Sequence, residues 1–117
     1  MHELGIVFHI IDSVEEVARE HKLSRVTSVT LELGEVSGIV PTYLTDCWNW
    51  AVKKSDYLQE AKLLIEEIPA LSLCESCQKT YPTVEHGKTC PHCGSEETHL
   101  FQGNESIIKE IATPDEA

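Results

Sequence analysis

The chain has no run of about eighteen or more apolar residues, so nothing in it reads as a membrane-spanning helix. Basic residues are scarce: nine Lys and Arg stand against twenty Asp and Glu, a formal net charge of −11. That balance excludes nucleic-acid binding as the expected role, because such affinity rests on a basic face that neutralises phosphates. Residues 1–24 carry Glu3, Asp12, Glu15, Glu16 and Glu20 and lack a basic stretch ahead of an apolar one, so no export leader is expected. The chain therefore reads as cytoplasmic. Neither a P-loop nor a Ser/His/Asp set is present to support hydrolysis. The carboxylate pairs Glu15/Glu16 and Glu66/Glu67 are adjacent in sequence, so they do not converge on one side and read as solvated charge. No internal repeat or low-complexity stretch appears. An acidic surface of this kind suits protein partners or cations, and it serves plain solubility equally well.

Cysteine is what the chain does have. Four of its five cysteines form two C-x-x-C hooks, Cys74-Glu75-Ser76-Cys77 and Cys90-Pro91-His92-Cys93, with twelve residues between them. Each hook brings two sulfurs onto one tight turn, and two hooks close a tetrahedron around Zn²⁺ at about 2.3 Å per bond. Disulfides are the alternative, but a reducing compartment favours metal. Iron is the other metal candidate, since Cys90-Pro91-His92-Cys93-Gly94 also resembles a rubredoxin knuckle. Thiolate geometry alone does not separate the two metals. The short intervening segment has a single aromatic, Tyr81, so the dry aromatic shell of a redox iron is missing, and zinc is preferred. A closed four-thiolate site has no open position for water or substrate, which makes its default role structural. His86 and His92 lie in the same segment and are expected outside the ligand set. Cys47 falls in the series Leu44, Cys47, Trp48, Ala51, Val52, a helix's buried face, and is expected as a core thiol.

At 117 residues the chain is one domain's worth, or one small domain carrying a smaller metal-stabilised one. Residues 4–21 read as an amphipathic helix with Leu4, Val7, Phe8, Ile11, Val14 and Ala18 on one face and Ile10 and Val17 at its edge. A strand follows over 25–33, where Val29, Leu31 and Leu33 alternate with polar residues. Pro41 opens a second helix to about residue 54, with Lys53 and Lys54 complementing its C-terminal dipole. Residues 62–68 read as a second strand. Pro69 marks a boundary, 70–101 is the metal segment, and Glu105–Ile111 is a last strand. That strand needs a sheet which a metal knuckle is too small to offer, so it is expected to return and pair with 25–33 or 62–68. The expected class is α+β: two helices on a three-stranded mixed sheet, with an inserted zinc-ribbon-like domain. The first domain would take residues 1–69 and be completed by 102–117; the second would take 70–101.

The other end of the chain carries Met1-His2-Glu3. A terminal amine, the His2 amide nitrogen and the His2 imidazole can hold one ion through fused rings, and planar nitrogen donors favour Ni(II) or Cu(II). Glu3 could add its carboxylate or its amide nitrogen. An exposed histidine without any metal role fits the same letters. His9 and His21 read as helix-surface and helix-end residues, the latter favourable at the negative end of the dipole.

Met1-His2-Glu3-Leu4, Leu31-Glu32-Leu33-Gly34-Glu35-Val36-Ser37, the cysteine quartet with Pro91 and Gly94-Ser95, and Gln102-Gly103-Asn104-Glu105 together resemble the HypA/HybF family of hydrogenase-maturation nickel chaperones. The resemblance runs from residue 1 to about 112. It implies a small α/β nickel-binding domain with an inserted zinc domain. It implies that His2, with Glu3 beside it, holds exchangeable Ni²⁺, and that Cys74, Cys77, Cys90 and Cys93 hold structural Zn²⁺. The partners it implies are a nickel-delivery GTPase and a [NiFe]-hydrogenase large-subunit precursor, and in some organisms urease maturation proteins. One departure stands out. Some members are thought to use an acidic residue in the loop after the first strand as a further nickel contact. This chain reads Gly38-Ile39-Val40-Pro41 there, with Glu35 and Asp46 the nearest acids. On this reading the protein is a metallochaperone and not an enzyme. Two rivals remain: an acidic zinc-ribbon adaptor in which zinc alone matters, and a redox carrier or enzyme that uses the four thiolates.

Overall fold

The computed structural model describes residues 3–114. Helix α1 spans Glu3–Glu20, strand β1 Ser28–Gly34, helix α2 Pro41–Ala51 continued by a 3-10 turn Val52–Lys54, and strand β2 Lys62–Ile68. Strands β3 (Leu71–Cys74) and β4 (Thr80–Pro82), the one-turn helix α3 (Thr83–His86), and strands β5 (Thr98–Gln102) and β6 (Ser106–Ala112) complete the order. The strands form two three-stranded sheets, ordered β2-β1-β6 and β4-β3-β5. The class is α+β, as the sequence leads one to expect, and the last strand does return to pair with β1. At the margins of that first sheet, Thr27 N–H donates to the Ala112 carbonyl and Gly34 N–H to the Glu105 carbonyl, so β6 runs antiparallel to β1. Lys62 N–H donates to the Thr27 carbonyl and Glu35 N–H to the Ile68 carbonyl, so β2 runs parallel to β1, with α2 in the crossover.

The chain divides into two compact units, the first Met1–Glu32, Ile39–Glu66 and Ile107–Ala117, the second Leu33–Gly38 and Glu67–Ser106. The second unit holds the cysteine segment together with Leu33–Gly38 from the end of β1 onward.

In the first unit, Val7, Val14, Ala18, Val29, Leu31, Leu44, Trp48 and Leu58 are fully buried. Trp48 satisfies its one donor inside the core by giving its indole N–H to the Ala61 carbonyl at 3.0 Å. The buried stripe of α1 differs from the expected one: Ile10 is inside, while Leu4 and Phe8 stay more than two-fifths exposed. Periodicity defines a wide apolar stripe but not which edge of it meets the core. Phe8 instead meets Trp50 edge-on, with ring centroids 6.5 Å apart, and the Lys54 ammonium lies 4.8 Å over the same indole. Helix α1 ends in a Schellman turn without glycine. Lys22 adopts φ +54°, and the N–H groups of Leu23 and Lys22 return to the carbonyls of Ala18 and Arg19.

In the second unit, β3 is the central strand, antiparallel to both β4 and β5. The hydrophobic cluster is very small: Cys74, Tyr81 and Cys90, with Cys77 packed against it. Three passes of chain meet at a junction in this unit that no single motif foretells. Glu35 accepts the Ala70 N–H at 2.8 Å and Glu105 accepts the Gly103 N–H at 2.6 Å. Val36 N–H donates to the Gly103 carbonyl at 2.8 Å. A Cβ on Gly34 would fall 2.0 Å from the Gly103 oxygen, so the close approach itself demands glycine.

Candidate metal centre

β3 delivers Cys74 at its last residue, and each hook then folds by the same local rule. Gln78 N–H donates to the Cys74 carbonyl at 2.8 Å, and Gly94 N–H to the Cys90 carbonyl at 2.8 Å. Cys74 N–H reaches the Lys79 carbonyl at 3.0 Å, and Cys90 N–H the Ser95 carbonyl at 2.9 Å. Both turns pass through a left-handed residue directly after the second cysteine, Gln78 at φ +63° and Gly94 at φ +77°. The two hooks are therefore the same turn made twice. The hydroxyls of Ser76 and Ser95 join them at 2.9 Å.

This arrangement brings all four sulfurs within 4.8 Å of one another. Cys74 Sγ lies 3.6 Å from Cys93 Sγ, and Cys77 Sγ 3.7 Å from Cys90 Sγ. Those separations are far beyond the roughly 2.05 Å of a disulfide. They match the edge of about 3.8 Å that a tetrahedron with bonds of about 2.3 Å requires. The residues fit a closed tetrathiolate site for a structural metal such as zinc, and among the described residues they are the only such cluster.

Crowding four sulfurs has an electrostatic consequence. The Cys77 N–H, with further help from Cys93 and the Ser76 N–H, lowers the Cys74 thiol to about 7 against the burial that raises it. At Cys93 the Ser95 N–H favours the thiolate, but neighbouring Cys74, burial and the other sulfurs outweigh it and push the group up to about 12. At Cys77 the Lys79 N–H favours the thiolate, yet burial and the sulfurs of Cys90 and Cys74 raise it. Without a cation, four adjacent thiols cannot all ionise; a bound cation removes that conflict by displacing their protons.

Tyr81 and two histidines stand around the quartet. Tyr81 is buried against the cluster and donates its hydroxyl to the Gly87 carbonyl at 2.8 Å. His86 stands edge-on to Tyr81 and 3.7 Å from Glu85, and His92 gives its backbone N–H to Cys90 Sγ at 3.4 Å. Neither imidazole joins the cluster.

Set beside known proteins, the chain matches over residues 1–113 the family described as "Hydrogenase/urease nickel incorporation, metallochaperone, hypA". It is 35% identical to hydrogenase maturation factor HypA of Actinobacillus succinogenes over 112 residues, covering 96% of this chain and 98% of that one. The chain belongs to the HypA family. A hydrogenase maturation factor HybF of Klebsiella pneumoniae is 32% identical over 111 residues, with 95% and 97% covered. A solved structure described as the Ni metallochaperone HypA from Helicobacter pylori aligns over 97% of both chains with a TM-score of 0.73. At 23% identity that likeness establishes the fold.

Of the residues that the HypA resemblance singles out, the four cysteines converge and are described above. His2 lies outside the described residues. Glu3, the first residue of α1, is only 5% exposed. Its Oε2 accepts the backbone N–H of Val40 at 3.1 Å. The carboxyl is held well below the ordinary 4.5, at about 2, first by the chain's α-amino group, then by the Val40 N–H and its own N–H. Cys47 is half-buried, not a full core thiol, and lines an open depression with Leu4, Asp46 and Trp50. Sequence reasoning missed the Val40 contact, because nothing in the spacing of residues 3 and 40 signals it. It also missed the roles of Glu35 and Glu105, although both stand in the quoted family motifs. The left-handed residue that closes each hook went unread as well, both at Gly94, where glycine favours it, and at Gln78, which takes the same φ without being glycine.

Proposed function

We propose that this chain is a nickel metallochaperone. It binds Ni(II) at its amino terminus and delivers it to a [NiFe]-hydrogenase precursor, while Cys74, Cys77, Cys90 and Cys93 hold a structural zinc ion. The observation that carries this reading is the family match over residues 1–113, which takes in both Met1-His2-Glu3 and the cysteine quartet. The chemistry agrees. Amine, deprotonated amide and imidazole nitrogens form a planar donor set that favours Ni(II), whereas four thiolates suit zinc. A closed thiolate site leaves no position at which cargo exchanges, and ligands at a chain end exchange without disturbing a core. The partners on this reading are a nickel-delivery GTPase and the hydrogenase large-subunit precursor, with urease maturation proteins in organisms that make urease.

Metal analysis tests the reading on three forms: the authentic amino terminus, His2→Ala, and an amino-terminal Gly-Ser extension. About one zinc is expected in all three, with about one nickel only in the first. Nickel uptake should weaken as pH falls through about 6.5, because imidazole and amide must lose protons to bind. Equal nickel binding in all three forms would remove the proposed site. Zinc alone in all three would leave an acidic zinc-ribbon adaptor.

A further inference from the structure

Helix α2 begins without any means of capping itself. Its N-cap residue is Val40, whose side chain offers no acceptor, and Pro41 follows at the first helical position. The position three residues after the cap, where Glu or Gln would reach back to the cap's N–H in a capping box, holds Tyr43. The loop before it, Gly38-Ile39-Val40, has no carboxylate. The acceptor arrives from thirty-seven residues away: Glu3 Oε2 takes the Val40 N–H at 3.1 Å, with the Glu3 residue almost wholly buried. Glu3 is also the first residue of α1, so this one contact fixes the start of the first helix to the start of the second.

We infer that the Glu3 carboxylate is a positioning residue for the amino-terminal nickel site, holding the chain end in place through Val40 instead of spending its oxygens on the metal. The inference rests on the nickel reading above and deepens it. Met1 and His2 are the residues next to Glu3 in sequence, so the anchored residue adjoins the proposed donors. An outer group that orients ligands in this way typically contributes about 10–100-fold to metal affinity. A ligand carboxylate and a tethering one make different demands on chemistry. A ligand needs its negative charge. A tether needs only an oxygen that accepts a hydrogen bond, which glutamine supplies.

The test measures nickel affinity and the Ni(II) visible absorption of the authentic-terminus protein and of Glu3→Gln, Glu3→Ala and the double variant Glu3→Ala/Val40→Ser. Thermal stability and zinc content are followed in each. The Val40→Ser change gives α2 a cap of its own, a hydroxyl that accepts from the N–H groups at the helix start, without restoring the tie to residue 3. Glu3→Gln should keep the absorption spectrum and stay within about threefold of the parent affinity, in line with the modest difference between neutral and charged hydrogen bonds. Glu3→Ala should bind nickel at least about tenfold more weakly and melt at a lower temperature. The double variant should regain the melting temperature but not the nickel affinity.

Three results would overturn the inference. Nickel binding lost as fully in Glu3→Gln as in Glu3→Ala, with a changed spectrum, would make the carboxylate a ligand. Nickel affinity that returns together with stability in the double variant would make Glu3 a helix cap and no more. Unchanged nickel affinity in Glu3→Ala would leave it no part in the site. If the parent protein itself takes up no nickel, the proposed function fails first, and the inference that rests on it falls with it.

Discussion

Stripping the metal from the cysteine quartet should collapse the β4-β3-β5 sheet while leaving the first unit folded. The magnitude follows from what the second unit has inside it. Among the described residues its cluster consists of Cys74, Tyr81 and Cys90, with Cys77 packed against them, so Tyr81 is the one member that is not a proposed ligand, and the unit's other buried apolar side chains are Leu33 and the small Ala70. Burying one such side chain is worth about 1.5–3 kcal/mol. A structural zinc ion contributes an apparent 10–16 kcal/mol or so in small zinc domains near neutral pH. Whole domains are stable by only about 5–15 kcal/mol, so no remaining interaction in this unit can replace the ion. The first unit has an apolar core of its own and contains both tryptophans of the chain, Trp48 and Trp50. Treatment with a strong chelator should therefore leave the tryptophan emission and the amide spectrum of the first unit in place. The amides of residues 71–102 should lose their dispersion and their protection from hydrogen exchange, and zinc should restore both. Native shifts retained at β3, β4 and β5 after complete metal removal would refute the reasoning, and so would concerted loss of the tryptophan signal.

Further outcomes follow from the same geometry. Zinc loading of the reduced, metal-free protein at pH 7 should release at least two protons per ion, since Cys77 and Cys93 are held protonated by burial and by the sulfurs around them. Calorimetry in buffers of different ionisation enthalpy measures the number, and a value below two would contradict it. Because the Glu3 carboxyl sits at about 2 in the folded chain against an ordinary 4.5, its stabilising contribution is complete above the ordinary value and is lost as pH falls from about 4.5 towards 2. Urea midpoints read by tryptophan fluorescence across that window should fall more steeply in the parent than in Glu3→Gln; parallel curves would remove the role. Trp48→Ala should cost about 3–5 kcal/mol by chemical denaturation, through the cavity it leaves and the unpaired Ala61 carbonyl. Gly34→Ala should cost about 2–4 kcal/mol, because the new Cβ meets backbone at Gly103 on a side that cannot yield. Gly5→Ala, in open space within α1, should instead stabilise by about 0.5–1 kcal/mol.

The parts legible in the sequence were those governed by short-range rules. Two helices, three strands of the first sheet and the return of the last strand follow from apolar periodicity and from the need of the apolar Glu105–Ile111 segment for a sheet. The convergence of the four cysteines was legible because a C-x-x-C hook is a local turn whose geometry travels with its spacing. What stayed hidden depends on groups far apart in sequence. The Glu3 to Val40 contact spans thirty-seven residues and leaves no periodic trace. The junction of Glu35, Ala70, Gly103 and Glu105 joins three passes of chain, each of which looks like an ordinary loop alone. Leu4, Phe8 and Cys47 satisfy a helical stripe yet sit at its open edge, since the width of a stripe does not say where the core stops.

On the proposed reading, cargo and scaffold metals occupy different ligands in one chain. X-ray absorption at the nickel edge, on protein carrying an authentic amino terminus with one zinc and one nickel bound, addresses it directly. Only nitrogen and oxygen neighbours should surround nickel, with the outer scattering of one imidazole, while the zinc edge shows four sulfurs at about 2.3 Å. Sulfur neighbours at nickel would place the cargo in the cysteine quartet and contradict the account.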